Sequence, residues 1–483
     1  MTASSTAPVI TGQAAPAAWI GTRYVESGTR LPVIDPYRGI EIGTVGVADA
    51  AVVDEAVAEA GRSFADWSAT EAATRADILD RTAELLERRG TEIAATVTAE
   101  MGMPITLALA TQRDLPVAVL RSMAAATRAF AWSETIDGAI LHRVPAGVVA
   151  AITPWNMPVH QIVAKVAAAL AAGCAVVLKP SEATPFDARL IRSCFVDAGV
   201  PAQAFAIVNG DGPTTGAALS AHRGLAHVSF TGSVRGGQAV ARAAAGALTR
   251  TTLELGGKSP AVVLPDADLD TVIPKVFASG LVNSGQACNA TTRLVLPAVH
   301  AGRVEELLAA AAGAVRLGDP ADPSTTHGPL ASRLQTDRVR EHIRAAKESG
   351  ARFVVGTGEV EPTYGSGCVI APTILADLPP GAAAVREEIF GPVLVIQYYD
   401  DEAQAIELAN DCQYGLSAEV WSGSTDHARD VATELEVGQV KVNGVRTRER
   451  PAVPFGGLKR SGYGRELGAV GLAEFTEIKA VMS

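Results

Sequence analysis

The chain has no run of about 18 consecutive apolar residues, the length that crosses a bilayer as a helix. Its opening stretch, MTASSTAPVITGQAAPAA, has neither a basic start nor the apolar centre of a secretion signal. The expectation is a cytoplasmic protein without membrane contact. Cysteine is sparse: Cys174, Cys194, Cys288, Cys368 and Cys412 are odd in number, far apart, and form no C-x-x-C pair. That pattern fits free thiols in a reducing compartment and argues against a disulfide framework. Among eight histidines only His222 and His227 are close, at neither an i,i+4 spacing nor beside a second ligand pair, so no metal site is expected. No block of basic residues occurs, and the net charge of −11 is spread along the chain. Nucleic acid and anionic membrane are therefore not expected partners. A G-x-G-x-x-G fingerprint is also missing.

The content of the 483 residues is ordinary for a globular protein, 48% hydrophobic, and long enough for two or three packed units at roughly 150 residues each. The first eighteen residues, rich in Ala, Pro, Thr and Ser, read as a loose arm. From Asp49 to Arg89 the apolar spacing predicts two amphipathic surface helices, the second ending at Gly90. The middle then alternates. GVVAAITP reads as a strand, PVHQIVAKVAAALAAG as a helix opened by Pro and closed by Gly, CAVVLKP as a strand, PFDARLIRSCFVDAG as a helix, and AFAIVNG and HVSFTGS as strands. Strand and helix at that pitch predict an α/β fold with a parallel sheet covered on both faces. Ligands of such sheets bind beyond the carboxyl ends of the strands, which draws attention to PWN, KPSE, NGDGP and FTGS. A second series, from LELGGKSPAVVL to EAQAIELAND, predicts another α/β unit, and EFTEIKAVMS a closing strand.

Six stretches in one order, PWNMP, KPSEATP, FTGSVRGG with LELGGKSP, SGQAC, EEIFGPV and PFGGLKRSG, make the chain from about Trp19 to Lys479 resemble the NAD(P)-dependent aldehyde dehydrogenase superfamily. Taken alone, Cys288 among small residues reads as a buried filler, Glu254 as a structural acid and Asn156 as a turn residue. The resemblance gives each a role. A thiol with an ordinary pKa is only a few per cent thiolate at pH 7 yet reacts strongly with carbonyl carbon. Cys288 is thereby implied as the nucleophile, Asn156 with the Cys288 backbone N–H as oxyanion donors, and Glu254 as the base that activates water.

For the cofactor, the resemblance implies NAD, with NADP possible but less favoured. Gly232, Ser233 and Gly237 bracket a strand-to-helix turn suited to a pyrophosphate. Lys179, Ser181 and Glu182 follow a strand, where an acid can take the ribose hydroxyls and repel a 2′-phosphate. Trp155, Gly212, Glu388 and Phe390 complete the implied set, the last two at the nicotinamide end. The bland alternatives are ordinary glycine turns and a helix end with a buried Phe.

The implied architecture is a Rossmann-like cofactor domain in two parts (1–127 and 147–256), an oligomerisation arm (128–146), an α/β catalytic domain (257–452), and a C-terminal segment (453–483) that returns to the cofactor domain and the arm. The last strand is expected to complete the arm across a subunit boundary, giving a homodimer or homotetramer. For substrate, Met157, Ala164, Ala287, Asn289 and Phe455 are the expected pocket. Met157 and Ala164 stand where relatives preferring small aldehydes carry aromatic rings, which predicts a medium-to-large apolar aldehyde. The basic loop with Arg446, Arg448 and Arg450 keeps a carboxylate-bearing semialdehyde open. A CoA-acylating enzyme and a catalytically silent relative are the rivals, and Glu254 together with Cys288 and Asn156 argues against them.

Overall fold

The computed structural model describes residues 11–357, 365–445 and 450–482. Arg446 and Arg448 of the basic loop lie outside the described residues, while Arg450 is exposed. Among the described residues no helix is long and apolar enough to cross a membrane.

Two sheets organise the chain. The first has eight strands in the order Gly462–Tyr463, Arg250–Glu254, His227–Thr231, Val148–Ile152, Ala175–Lys179, Phe205–Val208, Ala18–Ile20 and Arg23–Val25. Its five middle strands are parallel. Val148–Ile152, Ala175–Lys179 and Phe205–Val208 are buried at every position, as expected where helices cover both faces. From Val148–Ile152 the chain builds outward through Ala175–Lys179 to Phe205–Val208, then returns to place His227–Thr231 on the other side. That reversal opens a crevice beyond the carboxyl ends of Val148–Ile152 and His227–Thr231. Pro154 to Asn156 and Gly232 to Ser233 occupy it.

The second sheet has seven strands: Arg352–Val355, Thr373–Ala376, Val393–Tyr399, Arg293–Pro297, Pro260–Val263, Ser417–Trp421 and Gln439–Val442. Separate aliphatic clusters pack around it, one holding Ile273, Leu294 and Ile396 and another Val262, Val295 and Val420. The loop carrying Cys288 runs between its strands Pro260–Val263 and Arg293–Pro297, and so faces the crevice of the first sheet.

Three sequence expectations are corrected. The strand Thr476–Val481 pairs with Ala139–Pro145 of its own chain, from Thr476 opposite Pro145 to Val481 opposite Ile140, so that with Ser133–Ile136 the arm forms a three-stranded sheet within one chain. Residues 13 to 18 are not loose: Gln13–Ala15 pairs with Ile40–Gly46, and Ala15, Ala17 and Ala18 are buried. Composition misleads there because small residues serve close packing: a Cβ on Gly43 would strike the Gln13 carbonyl, and one on Gly46 would lie 2.6 Å from the Ala17 nitrogen. The second early helix does not stop at Gly90 but runs Ala72–Met101. Gly90 is a contact point, where a Cβ would collide with the side chain of Arg113, and the terminating left-handed residue is Gly102, at φ +79°.

Candidate active site

The segment before Cys288 is held in an unfavourable backbone form. Asn283, Ser284 and Gly285 have φ of +53°, +57° and +77° in succession, and left-handed non-glycine residues cost about 1 to 3 kcal/mol each. Side chains offset that cost. Asn283 Nδ2 donates to the Asn156 carbonyl at 3.0 Å, Ser284 Oγ to the Gly328 carbonyl at 2.9 Å, and Gln286 Nε2 to the Asn283 carbonyl at 3.1 Å, while Gln286 Oε1 accepts from the Ala331 N–H at 2.9 Å. Asn156 Nδ2 donates to the Gln286 carbonyl at 2.9 Å. Asn156 and the loop of Cys288 are therefore tied to each other in both directions.

Cys288, Asn156 and Glu254 line one cavity of about 590 Å³, within the range of small-molecule sites. Cys288 is half-buried. Burial pushes its thiol up to about 12, with Glu388, Glu254 and Glu466 adding repulsion and Lys441 alone opposing. Glu254 ends the strand Arg250–Glu254, is 2% exposed, and among the described residues has no hydrogen-bond partner on either oxygen. Burial, then repulsion from Glu466, holds its carboxyl well above the usual range, and Lys165 and Arg465 oppose the rise. An acceptor with free lone pairs in an apolar wall is costly to leave unused.

Beside it lies a polar chain that the sequence reading did not single out. Lys165 Nζ donates to Thr231 Oγ1 at 2.7 Å and pairs with Glu466, both charges being buried. Thr231 also lines the cavity. Lys165 is the one charged residue of the helix Pro158–Ala172; that lone lysine in an apolar helix was the available signal.

The cofactor residues divide. Trp155, Gly232, Ser233, Glu388 and Phe390 line the same cavity. Trp155 and Phe390 meet edge to face at 5.4 Å. Glu388 accepts from the Gly257 N–H at 3.1 Å and is raised to about 7, chiefly by burial. Ser233 caps the helix Val234–Ala245, its Oγ accepting from the Gly236 N–H at 3.1 Å. Gly237 is used for packing, since a Cβ would lie 2.5 Å from Leu255. Lys179, Ser181, Glu182 and Gly212 lie outside the cavity wall. Lys179 is buried, donates to the Pro180 carbonyl at 2.7 Å and sits 3.8 Å from Glu182, which is 46% exposed. Ser181 Oγ accepts from the Ala183 N–H at 3.2 Å. Gly212 is exposed, with open space where a Cβ would stand.

Helix Arg333–Glu348 adds wall residues that the sequence reading missed, Gln335, Arg338, Glu341 and His342. Gln335 Nε2 donates to the carbonyls of Ile389 and Phe390 at 3.1 and 2.9 Å, holding Phe390 in its left-handed backbone form at φ +57°. Its own segment carries no motif, so sequence alone gave no signal.

None of the five expected substrate residues is in the wall of this cavity. Ala164 is 2% exposed inside the helix core, Phe455 is buried and pairs with Glu466 through both backbone hydrogen bonds, and Ala287 is buried. Met157 and Asn289 are half-buried, and Met157 packs with Cys288 against the cluster that holds Ala164 and Phe455.

The chain matches the profile of the aldehyde dehydrogenase family over residues 24–481. It is 43% identical to a 3-succinoylsemialdehyde-pyridine dehydrogenase from Pseudomonas sp, over 93% of this chain and 94% of the relative. A geranial dehydrogenase from Castellaniella defragrans is 41% identical over 91% of this chain and 92% of that one. Among solved structures, a cysteine-to-alanine mutant of aldehyde dehydrogenase C from Pseudomonas syringae with NAD+ and octanal superposes with a TM-score of 0.95 at 40% identity, covering 97% of this chain and 96% of the other. A Mycobacterium tuberculosis aldehyde dehydrogenase with NAD+ gives 0.94 at 36%, covering 98% and 99%.

Proposed function

The chain belongs to the aldehyde dehydrogenase family, and from that premise we propose that it oxidises an aldehyde to a carboxylic acid through a thioester on Cys288. The observation that carries the reading is the single cavity shared by Cys288, Asn156 and a Glu254 whose two oxygens are unpartnered. Cys288 reacts as its thiolate, its proton released to solvent, and the sulfur bonds to the aldehyde carbon. Negative charge gathers on the former carbonyl oxygen. Asn156 spends one N–H on Gln286 and keeps the other for that oxygen, beside the Cys288 backbone N–H. After the hydride has left the carbon, Glu254, its raised carboxyl suited to accept a proton, takes one from water as the water oxygen attacks the thioester, and returns it to sulfur as the C–S bond breaks, releasing acid and thiol. Lys165 and Glu466 set the charge around Glu254 throughout.

NAD supplies the hydride acceptor when bound. The residues fit it: Trp155 and Phe390 form an apolar wall, Glu388 has a free carboxyl oxygen, and Gly232 and Ser233 open the helix Val234–Ala245 toward the cavity. Glu182, partly exposed beside Lys179, would repel a 2′-phosphate and favour NAD over NADP. A medium-to-large apolar aldehyde is the proposed substrate. Its support is the relatives described with geranial and octanal. A semialdehyde is the second reading, favoured by the 43% identical relative's name. The division into a split cofactor domain, an arm and a catalytic domain is proposed with the boundaries above, and a homo-oligomer with it, since Ile136, Ile140 and Ile478 of the arm are exposed.

NADH formation with NAD+ and a panel from acetaldehyde to octanal tests this. The expected result is kcat/KM rising with chain length, by up to about 0.8 kcal/mol per buried methylene, and no turnover in Cys288→Ala. Turnover in that variant would remove Cys288 from the reaction, and a panel won by acetaldehyde would remove the apolar assignment.

A further inference from the structure

We infer that Gln112 is a positioning residue for acyl transfer: from a π turn in a neighbouring helix it caps the helix Pro158–Ala172 and fixes the segment that carries Asn156 and Met157. This rests on the reading of Cys288 and Asn156 above.

A helix needs acceptors for its first N–H groups, and a Ser, Thr, Asp or Asn at the N-cap normally supplies one to the second or third position. Met157 holds that place here and makes no side-chain cap, and Pro158 follows it. Gln112 supplies the acceptor from outside. Its Oε1 accepts from the N–H of Val159 at 3.1 Å and of His160 at 3.3 Å, the two donors a local cap would have served. The other end of the same amide donates to Met157 Sδ and to Thr111 Oγ1, each at 3.1 Å. Gln112 is wholly buried, so its carbonyl lone pairs and both amide hydrogens are matched within the protein.

The backbone is bent to put Gln112 there. Leu109–Asp114 is a π turn between Ile105–Ala108 and Leu115–Ala129. Pro116 has no N–H to return to the Gln112 carbonyl, which opens the ordinary ladder at that point. Gly90 makes room for the turn, the Arg113 side chain lying where a Cβ would be. Asn283 in turn holds the Asn156 carbonyl and Gln286 its amide. The segment 156–157 is thus held both by the nucleophile loop and by Gln112. A short shift of Asn156 would move its free N–H off the developing oxyanion, and misplacements near 1 Å cost up to about 100-fold in rate.

The test is the NADH burst on rapid mixing with NAD+ and hexanal, beside the dissociation constant for NAD+. Gln112→Met keeps the size and loses the acceptor; its burst rate should fall about tenfold or more with NAD+ affinity unchanged. Gln112→Glu keeps an acceptor facing the two N–H groups, and should recover the burst to within about threefold of the parent. A parental burst in folded Gln112→Met, or a Gln112→Glu as slow as Gln112→Met, would overturn the assignment, as a purely structural residue changes stability without this pattern. If Gln112→Met does not fold, Gln112→Asn, one methylene too short to reach Val159, replaces it with the same expected loss and the same overturning result. Failure of the underlying reading looks different: no aldehyde-dependent burst in the parent, or a burst retained in Cys288→Ala.

Discussion

Burial, and then repulsion from Glu388, Glu254 and Glu466, holds the Cys288 thiol up to about 12. Well below that value the thiolate fraction rises tenfold with each pH unit. Alkylation of Cys288 by iodoacetamide, read by mass spectrometry, should therefore accelerate steadily from about pH 6 to about pH 9 without a plateau. A plateau near neutrality would mean that a nearby cation stabilises the thiolate. Beside Cys288, Glu254 is kept basic by burial and by Glu466, as a base for the later water step requires. At this scale Cys288, Asn156 and Glu254 were legible because each lies in a contiguous motif at a strand end or an adjoining loop. Lys165 with Glu466, 301 positions apart, and Gln112 with Val159, 47 apart, were not, because their meaning lies in contacts that no local window contains.

At the scale of elements, the strand and helix alternation from Val148 to Thr231 was readable from periodicity, since a parallel sheet leaves uninterrupted apolar runs and helices announce themselves by Pro at the start and Gly at the end. Gly90 shows why that grammar fails elsewhere: a glycine can mark a close approach as well as a stop, and only the neighbour Arg113 distinguishes the two. Gly102 is the actual stop, at φ +79° and with Pro329 against it. Gly102→Ala should destabilise the protein by about 1 to 3 kcal/mol in urea unfolding, whereas an exposed glycine with open space, such as Gly302, should tolerate Ala without loss. Equal effects at the two positions would contradict this reading of the helix end.

For the molecule as a whole, one buried pair outside the cavity wall contributes to how stability follows pH. Glu100 and Asp187 are 1% and 0% exposed, and Glu100 accepts from the backbone N–H groups of Phe186 and Asp187 at 2.6 and 3.4 Å. Burial raises both carboxyls well above the ordinary range, and the charge of Asp187 raises Glu100 further. The folded state thus keeps a proton that the unfolded chain releases, so stability is fullest below the ordinary carboxylate range and falls as pH rises toward the raised folded values. Urea midpoints should decline as pH rises above the ordinary carboxylate range, and decline less in Glu100→Gln; identical slopes would show that the pair does not contribute.

The proposed role of Glu254 as the base that turns over a Cys288 thioester is read out by rapid mixing of Glu254→Gln with NAD+ and hexanal. An amide cannot take the proton of the attacking water, so acyl release should slow far more than its formation. The expected result is an initial burst of about one NADH per active site followed by a slow phase, with acylated Cys288 recovered by mass spectrometry from the quenched reaction. Steady turnover at the parental rate with no acylated Cys288 would contradict it.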